Sequence, residues 1–362
     1  MKVIPNSKIR FFIVVIFLIW TGMSCIEEYP FDSGDPGRQL TVEGYFTTQA
    51  KKHQIRLSRV SQYGPDFNGL NRPEALATVL IRDDLGNTIV LKEISPGLYE
   101  TENITNGLIG RSYNLEITTF TGSRIISLPE KIVAVPQVDS ISYRSVKSIT
   151  SNRLLSDVGV QVFAHFKDPG EVKNYYYWAS QEATYVFITQ PENFTNPTTH
   201  PTNPRGPNPK PCCSVCYRKD QPPNNIYTSD DNDFNGISQR RIIAYIPDDG
   251  LRFLDTYRYQ GSNLSISERG HRFLKLLDQQ ISLTGSVFDP PPANIRGNML
   301  SLDDADETIL GYFFASDEQP LQSYIKREKL EFVLSPTTKV PDDCRLSLNS
   351  NLKPPEDWNP GD

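Results

Sequence analysis

Residues 77–91, ATVLIRDDLGNTIVL, decide the fold class. Ala77-Thr78-Val79-Leu80-Ile81-Arg82 is dense in β-branched and apolar side chains, which suit a pleated surface. Asp83-Asp84-Leu85-Gly86-Asn87 then supplies turn chemistry, since Asp and Asn hydrogen-bond their own backbone and glycine accepts a positive φ. Residues 88–91 return as a second strand, so the stretch predicts a hairpin. A lone hairpin is marginal in water, and this one therefore demands neighbours.

Those neighbours lie on both sides. Upstream, Leu40, Val42, Gly44 and Phe46 share one face of a strand, and Ile55 and Leu57 repeat the period of two. Downstream, Pro96-Gly97 turns the chain before residues 98–101, and Tyr113, Leu115 and Ile117 alternate ahead of Gly122 and Ile125. About seven short strands at this spacing predict an immunoglobulin-like or transthyretin-like sandwich over residues 38–133.

Pro129 and Pro136 bracket Val133-Ala134-Val135 and mark the expected junction to a second β-rich domain, residues 134–362. It opens with Ile141 and Tyr143. Val158, Val160, Val162, Ala164 and Phe166 then share one face until Asp168-Pro169-Gly170 forces a turn. Residues 175–180 and 183–189 read as the next hairpin, and residues 190–225, rich in Pro and Asn, as a long loop. One helix is expected after Ser265-Ile266-Ser267-Glu268, because Phe273, Leu274, Leu276 and Leu277 recur at three-and-four spacing through Ile281. Ser265 with Glu268 fits a capping box. The expected fold is mainly β, with this single helix packed on a sheet.

The 362 residues carry 37 basic and 43 acidic side chains, a balance too even to steer the chain to nucleic acid. His53, His165, His200 and His271 stand in no zincin spacing, and there is neither a Gly-rich phosphate loop nor a Gly-x-Ser-x-Gly elbow. A non-enzymatic role without cofactor is expected, and a hydrolase assembled from distant residues is the least favoured reading. Asp231-Asn232-Asp233-Phe234-Asn235-Gly236 starts like a calcium loop with Asp231, Asp233 and Asn235 as ligand positions. Ile242, however, stands where a bidentate glutamate belongs, so a solvated acidic turn is preferred. Tyr175-Tyr176-Tyr177-Trp178 offers a stacking platform, although alternation assigns half of it to the core.

The N-terminus has its own logic. Lys2, Lys8 and Arg10 precede the apolar run Phe11 to Trp20, and Thr21 to Ser24 are neutral, which is the three-part layout of a secretory signal over residues 1–24. The run is shorter than the roughly 18 to 20 apolar residues a membrane span needs. Gly22-Met23-Ser24-Cys25 resembles a lipobox, with Gly22 where Leu is usual, so Cys25 is expected to carry the lipid anchor. Residues 25–37 follow as an acidic linker, in which Glu27 and Glu28 resemble the surface-export signal of lipoproteins from Bacteroidota-type Gram-negative bacteria. An exported chain meets oxidants, so Cys212, Cys213, Cys216 and Cys344 are expected to form two disulfides rather than a zinc site. Four cysteines permit three pairings; one of the clustered three is expected to reach Cys344 and tie the tail to the long loop.

SVFDPPPANIRGNM, residues 286–299, stands apart because three prolines fix an extended backbone that cannot lie within a ladder. Together with LLDQQISLTG (276–285), ETILGYFFAS (307–316), LTVEGYFT (40–47), ATVLIRDDLGN (77–87) and Cys212-Cys213-x-x-Cys216, it resembles one group of proteins. These are the Bacteroidota outer-membrane lipoproteins catalogued as domain-of-unknown-function family 4249. The resemblance runs along nearly all of the mature chain. It implies a lipid-anchored outer-membrane protein facing the cell exterior, with a TonB-dependent transporter as partner and a small-molecule or oligomeric nutrient as cargo. The alternative is a structural or adhesive envelope protein that binds glycan or another surface protein. Asp289, Pro290, Pro291, Pro292 and Arg296 are candidate partner-binding residues, since a pre-ordered segment loses little entropy on binding and Arg offers a forked donor. The competing reading wraps the prolines round a sheet edge, with Phe288 and Ile295 buried and Arg296 paired to an acid of its own chain.

Overall fold

The computed structural model describes residues 39–60, 72–149, 156–223, 225–282, 295–336 and 340–361. Cys25, Glu27, Glu28 and Asp289 to Pro292 lie outside the described residues. The described residues belong to one compact unit. None of their helices is long and apolar enough to cross a membrane, which says nothing of a β-barrel.

In chain order the elements are β1 (Leu40–Thr47), β2 (Gln54–Arg59), β3 (Arg72–Pro73), β4 (Thr78–Asp83), β5 (Thr88–Ser95), β6 (Leu98–Thr101), β7 (Ser112–Thr118), β8 (Arg124–Ser127) and β9 (Glu130–Lys131). Then come β10 (Val138–Ile149), β11 (Ser156–Lys167), β12 (Tyr175–Ser180), β13 (Ala183–Ile188), β14 (Val215–Asp220), β15 (Tyr227–Asp230), β16 (Ser238–Pro247) and β17 (Tyr257–Ser265). The helix α1 (Glu268–Ser282), β18 (Met299–Ser301), β19 (Leu310–Ser316), β20 (Glu318–Ile325) and β21 (Ser350–Asn351) complete the series. The fold is mainly β, as the alternation predicts.

β4 and β5 form the expected hairpin, with Val79 opposite Leu91 and Arg82 opposite Thr88. Asp83 Oδ1 accepts the N–H groups of Leu85 at 3.0 Å and Asn87 at 2.8 Å, while Gly86 takes φ +88°. The hairpin sits inside a sheet of order β18-β8-β7-β4-β5-β6-β2-β1-β19. Its inward residues, among them Val42, Phe46, Ile55, Val79 and Leu115, are fully buried and form one core.

The two end strands of this sheet come side by side, and Asn298 joins them. Its Nδ2 donates to the Phe313 carbonyl at 2.9 Å, and the Phe313 N–H donates to its Oδ1 at 3.0 Å. A side-chain amide thus copies a β-bridge and satisfies two buried backbone groups of an edge strand. Both closing strands come from the far end of the sequence. β1 and β19 run parallel, from Thr41 opposite Leu310 to Thr47 opposite Ser316. Residues 38–133 therefore do not complete their own sheet, and the expected cut between 133 and 134 is crossed by backbone pairing.

The remaining strands make a three-stranded sheet, β10-β11-β16, and a larger one of order β15-β12-β17-β13-β14-β21 with β20 also on β17. Phe166, Tyr176, Trp178, Tyr185, Phe187 and Tyr257 fill the core they share. β12 and β13 are not the predicted hairpin. Ser180 faces Gly261 and Thr184 faces Arg258, so both strands run along β17 as one line interrupted at Gln181-Glu182. That dipeptide has none of the Gly, Pro or Asn that a tight turn requires. The expected loop 190–225 also ends early, because β14 pairs with β13 and with β21.

Cys212 is bonded to Cys213, and Cys216 on β14 is bonded to Cys344 with their Cα atoms 5.7 Å apart. The tail beyond is held further by Trp358, whose ring lies 5.2 Å from Tyr217 and 5.3 Å from Tyr324, and by a 2.7 Å ion pair of Asp357 with buried Arg258. The Cys216–Cys344 link spans 128 positions, so it removes much loop freedom from the unfolded chain. Cys344→Ser is expected to cost about 2 to 5 kcal/mol in urea unfolding. A cost below about 1 kcal/mol would leave the tail to Trp358 and Asp357.

Candidate functional site

Because β1 and β19 are parallel neighbours, their outward residues stand in pairs, Glu43 beside Tyr312 and Tyr45 beside Phe314. α1 lies over this outer face. Tyr312, Phe314, Leu274 and Ile266 are buried there, with Phe273, Tyr45, Tyr175 and Tyr177 packed against them. Leu276, at 45% exposure, faces away, so the helix docks on a narrower stripe than its apolar residues predict. Of the Tyr175–Trp178 run, Tyr176 and Trp178 enter the main core, and Tyr175 and Tyr177 look the other way toward α1.

Ser267, not Ser265, caps the helix: its Oγ accepts the Gly270 N–H at 3.1 Å. Ser265 is committed elsewhere. As the last residue of β17 it donates to the Val133 carbonyl at 2.5 Å and accepts from the Asp317 N–H at 2.9 Å.

Between β1, β19, α1 and the residues Pro223, Asn225 and Ile226 lies a groove of about 740 Å³. Tyr45 stacks on Phe314 at 5.1 Å and on Tyr177 at 6.3 Å, with the rings within 17° of parallel. Burial, reinforced by neighbouring Tyr177, holds the Tyr45 hydroxyl well above its ordinary pKa, so it remains a neutral donor. Burial also raises Tyr177. Tyr312 is raised by burial and by Glu130, to which it donates at 2.7 Å. Among the described lining residues, Glu43 alone carries a charge.

One end of the groove is set by backbone packed on backbone. Gly297 crosses β19 at Gly311, and a Cβ on Gly297 would strike the Gly311 carbonyl; a Cβ on Gly311 would strike the carbonyl of Val42. Gly311 also takes φ +88°, a region L side chains avoid. The glycines of GNM and LGYFF thus serve one crossing, beside which Ile295 and Leu310 line the groove. Arg296 is exposed, and among the described residues it has no acid within ion-pair distance. The internal salt bridge of the competing reading is therefore not formed there, while Ile295 is half-buried.

The other sequence candidates are not brought together. Asp231 is buried and accepts the Asn174 N–H at 2.7 Å, whereas Asp233 and Asn235 are exposed. The loop is tied instead to Asp168, which accepts from Gly236 N–H at 3.0 Å and from the Tyr176 hydroxyl. Among the described residues no group of three or more His, Cys, Asp or Glu could hold a metal. Ser142 Oγ lies 2.7 Å from His165 Nε2, but among the described residues no carboxylate bonds that ring.

The family model described as Domain of unknown function (DUF4249) matches residues 26–321. The chain belongs to the DUF4249 family. Every described element around the groove falls inside the DUF4249 match, while Cys344 and Trp358 of the tail lie beyond it. No curated protein and no solved structure matches the chain.

Proposed function

We propose that this member of the family is a non-enzymatic outer-membrane lipoprotein that captures a ligand in the aromatic groove and delivers it to a TonB-dependent transporter. Cys25 would hold the anchor and Glu27-Glu28 direct export to the cell surface. The groove carries the reading: its volume is within the roughly 300 to 1,000 Å³ common for small-molecule sites, and its walls are mostly apolar with few polar groups. The lipobox-like N-terminus and the likeness to Bacteroidota lipoproteins support the location and the partner. Arg296, exposed beside the groove, fits a docking contact because no described acid pairs with its guanidinium, which can meet a carboxylate or carbonyl of the transporter.

Purification of the tagged chain from its native outer membrane in mild detergent tests this directly. A stoichiometric β-barrel partner is expected, and its absence would overturn the reading. Arg296→Ala is expected to lower the affinity for that partner about tenfold while leaving the melting temperature unchanged, which is the loss of a contact worth about 1.4 kcal/mol.

A further inference from the structure

We propose that the ligand of the groove is a flat aromatic molecule without negative charge. The inference deepens the capture half of the function proposed above and rests on it, but it is tested on the isolated chain, where the transporter plays no part.

Three observations converge. Tyr45, Phe314 and Tyr177 stand nearly parallel, with neighbouring centroids 5.1 to 6.5 Å apart, so this part of the wall is a stack of rigid rings rather than flexible aliphatic chain. Such rings recognise other rings by offset stacking and edge contacts. Along the rest of the wall Phe273, Leu277 and Ile281 add apolar surface, and Asn225 and Gln280 supply neutral hydrogen-bonding groups. Charge then selects. Glu43 is exposed, lines the groove and is its single described charge, and no described lining residue is Lys, Arg or His. Arg56 faces Glu43 across β1 and β2 but does not line the groove, and no ion pair joins the two among the described residues. Among the described lining residues an anionic ligand would meet one like charge and no counter-charge; Arg56 and Arg296 are exposed beside that lining and not part of it. A neutral ring meets none of that cost, and a cationic one is attracted by Glu43.

Two fluorophores separate charge from shape: N-phenyl-1-naphthylamine, which is neutral, and 8-anilinonaphthalene-1-sulfonate, the same skeleton with a sulfonate. They are titrated into the mature chain carrying Cys25→Ala, so that neither lipid nor detergent competes. Saturable one-to-one binding of the neutral probe is expected, with the sulfonate at least about tenfold weaker. Glu43→Gln, at an exposed position, should bring the two within about twofold. Ile281→Trp, on an exposed stretch of α1, should abolish binding of the neutral probe with the melting temperature unchanged. Equal affinity for both probes in the unaltered chain, or unchanged binding of the neutral probe in Ile281→Trp, would overturn the proposal. Displacement of the probe by peptides but not by aromatic small molecules would also overturn it.

Discussion

Gly311→Ala is expected to cost up to about 4 kcal/mol, whereas Gly86→Ala costs about 1 kcal/mol. The two glycines share a φ of +88°, so the backbone penalty for a side chain is the same at both. They differ in what a Cβ would meet. At Gly86 nothing lies within 4 Å, because the β4–β5 turn projects into solvent. At Gly311 the new atom would run into the Val42 carbonyl, a backbone group held in the parallel ladder opposite Gly311 itself. A flexible side chain would swing aside, but this carbonyl moves only if β1 moves. Strain of about 1 kcal/mol at both sites is therefore joined at Gly311 by an overpacking cost of up to about 3 kcal/mol. Urea unfolding of the two variants beside the parent reads the difference. Equal midpoints would mean that β1 and β19 do not approach as closely as described, and the groove they wall would lose its geometry with them.

How far the sequence reveals this arrangement depends on what each pattern encodes. A period of two states which face of a strand is buried, and for Val42, Phe46, Ile55 and Leu115 it reads correctly. It does not state which strand is the neighbour. The parallel pairing of β1 with β19 is invisible for that reason, and so is the reuse of C-terminal strands to finish the first sheet. One signal was nevertheless available. Leu310-Gly311-Tyr312-Phe313-Phe314-Ala315 is apolar without alternation, the mark of a strand covered on both faces, and its second cover is α1. Tyr45, at an outward position of β1, belongs to the same hidden face. The helix itself is legible from its spacing, but its cap is not. Two serines stand two residues apart, and Ser265 loses the role only because its hydroxyl bridges Val133 and Asp317, a contact made by distant chain. The interruption between β12 and β13 is the opposite case: Gln181-Glu182 lacks turn chemistry, and local reading alone argues for a jog.

Glu318→Gln is expected to cost about 2 kcal/mol at neutral pH, and the gap to the parent should close in acid. The carboxylate is 4% exposed and sits where the end of β1, the β1–β2 connection, β17 and β20 meet, so it fastens the first sheet to the third. Oε2 accepts from Thr47 Oγ1 at 2.6 Å and from Lys51 Nζ at 2.5 Å, and Oε1 accepts from Ser262 Oγ at 2.6 Å. Thr47 and Ser262 are themselves buried, so a weaker acceptor leaves them poorly satisfied away from water. The Lys51 side chain is 43% exposed and can return to solvent, which places most of the effect on the two hydroxyls. Lys51→Met should accordingly cost less than about 1 kcal/mol. Burial by itself would raise the Glu318 pKa; the bonds from Lys51, Ser262 and Thr47 outweigh it and hold the group below the ordinary 4.5. A carboxylate lowered by folding contributes stability that is fully present above its unfolded pKa and is lost as pH falls through the folded one. The difference between parent and Glu318→Gln should stay constant from pH 7 to about 5 and shrink as the solution passes below the ordinary glutamate value. Denaturant midpoints at a series of pH values measure it. A gap that persists unchanged to about pH 3 would show that shape, not charge, holds the two sheets together at this point.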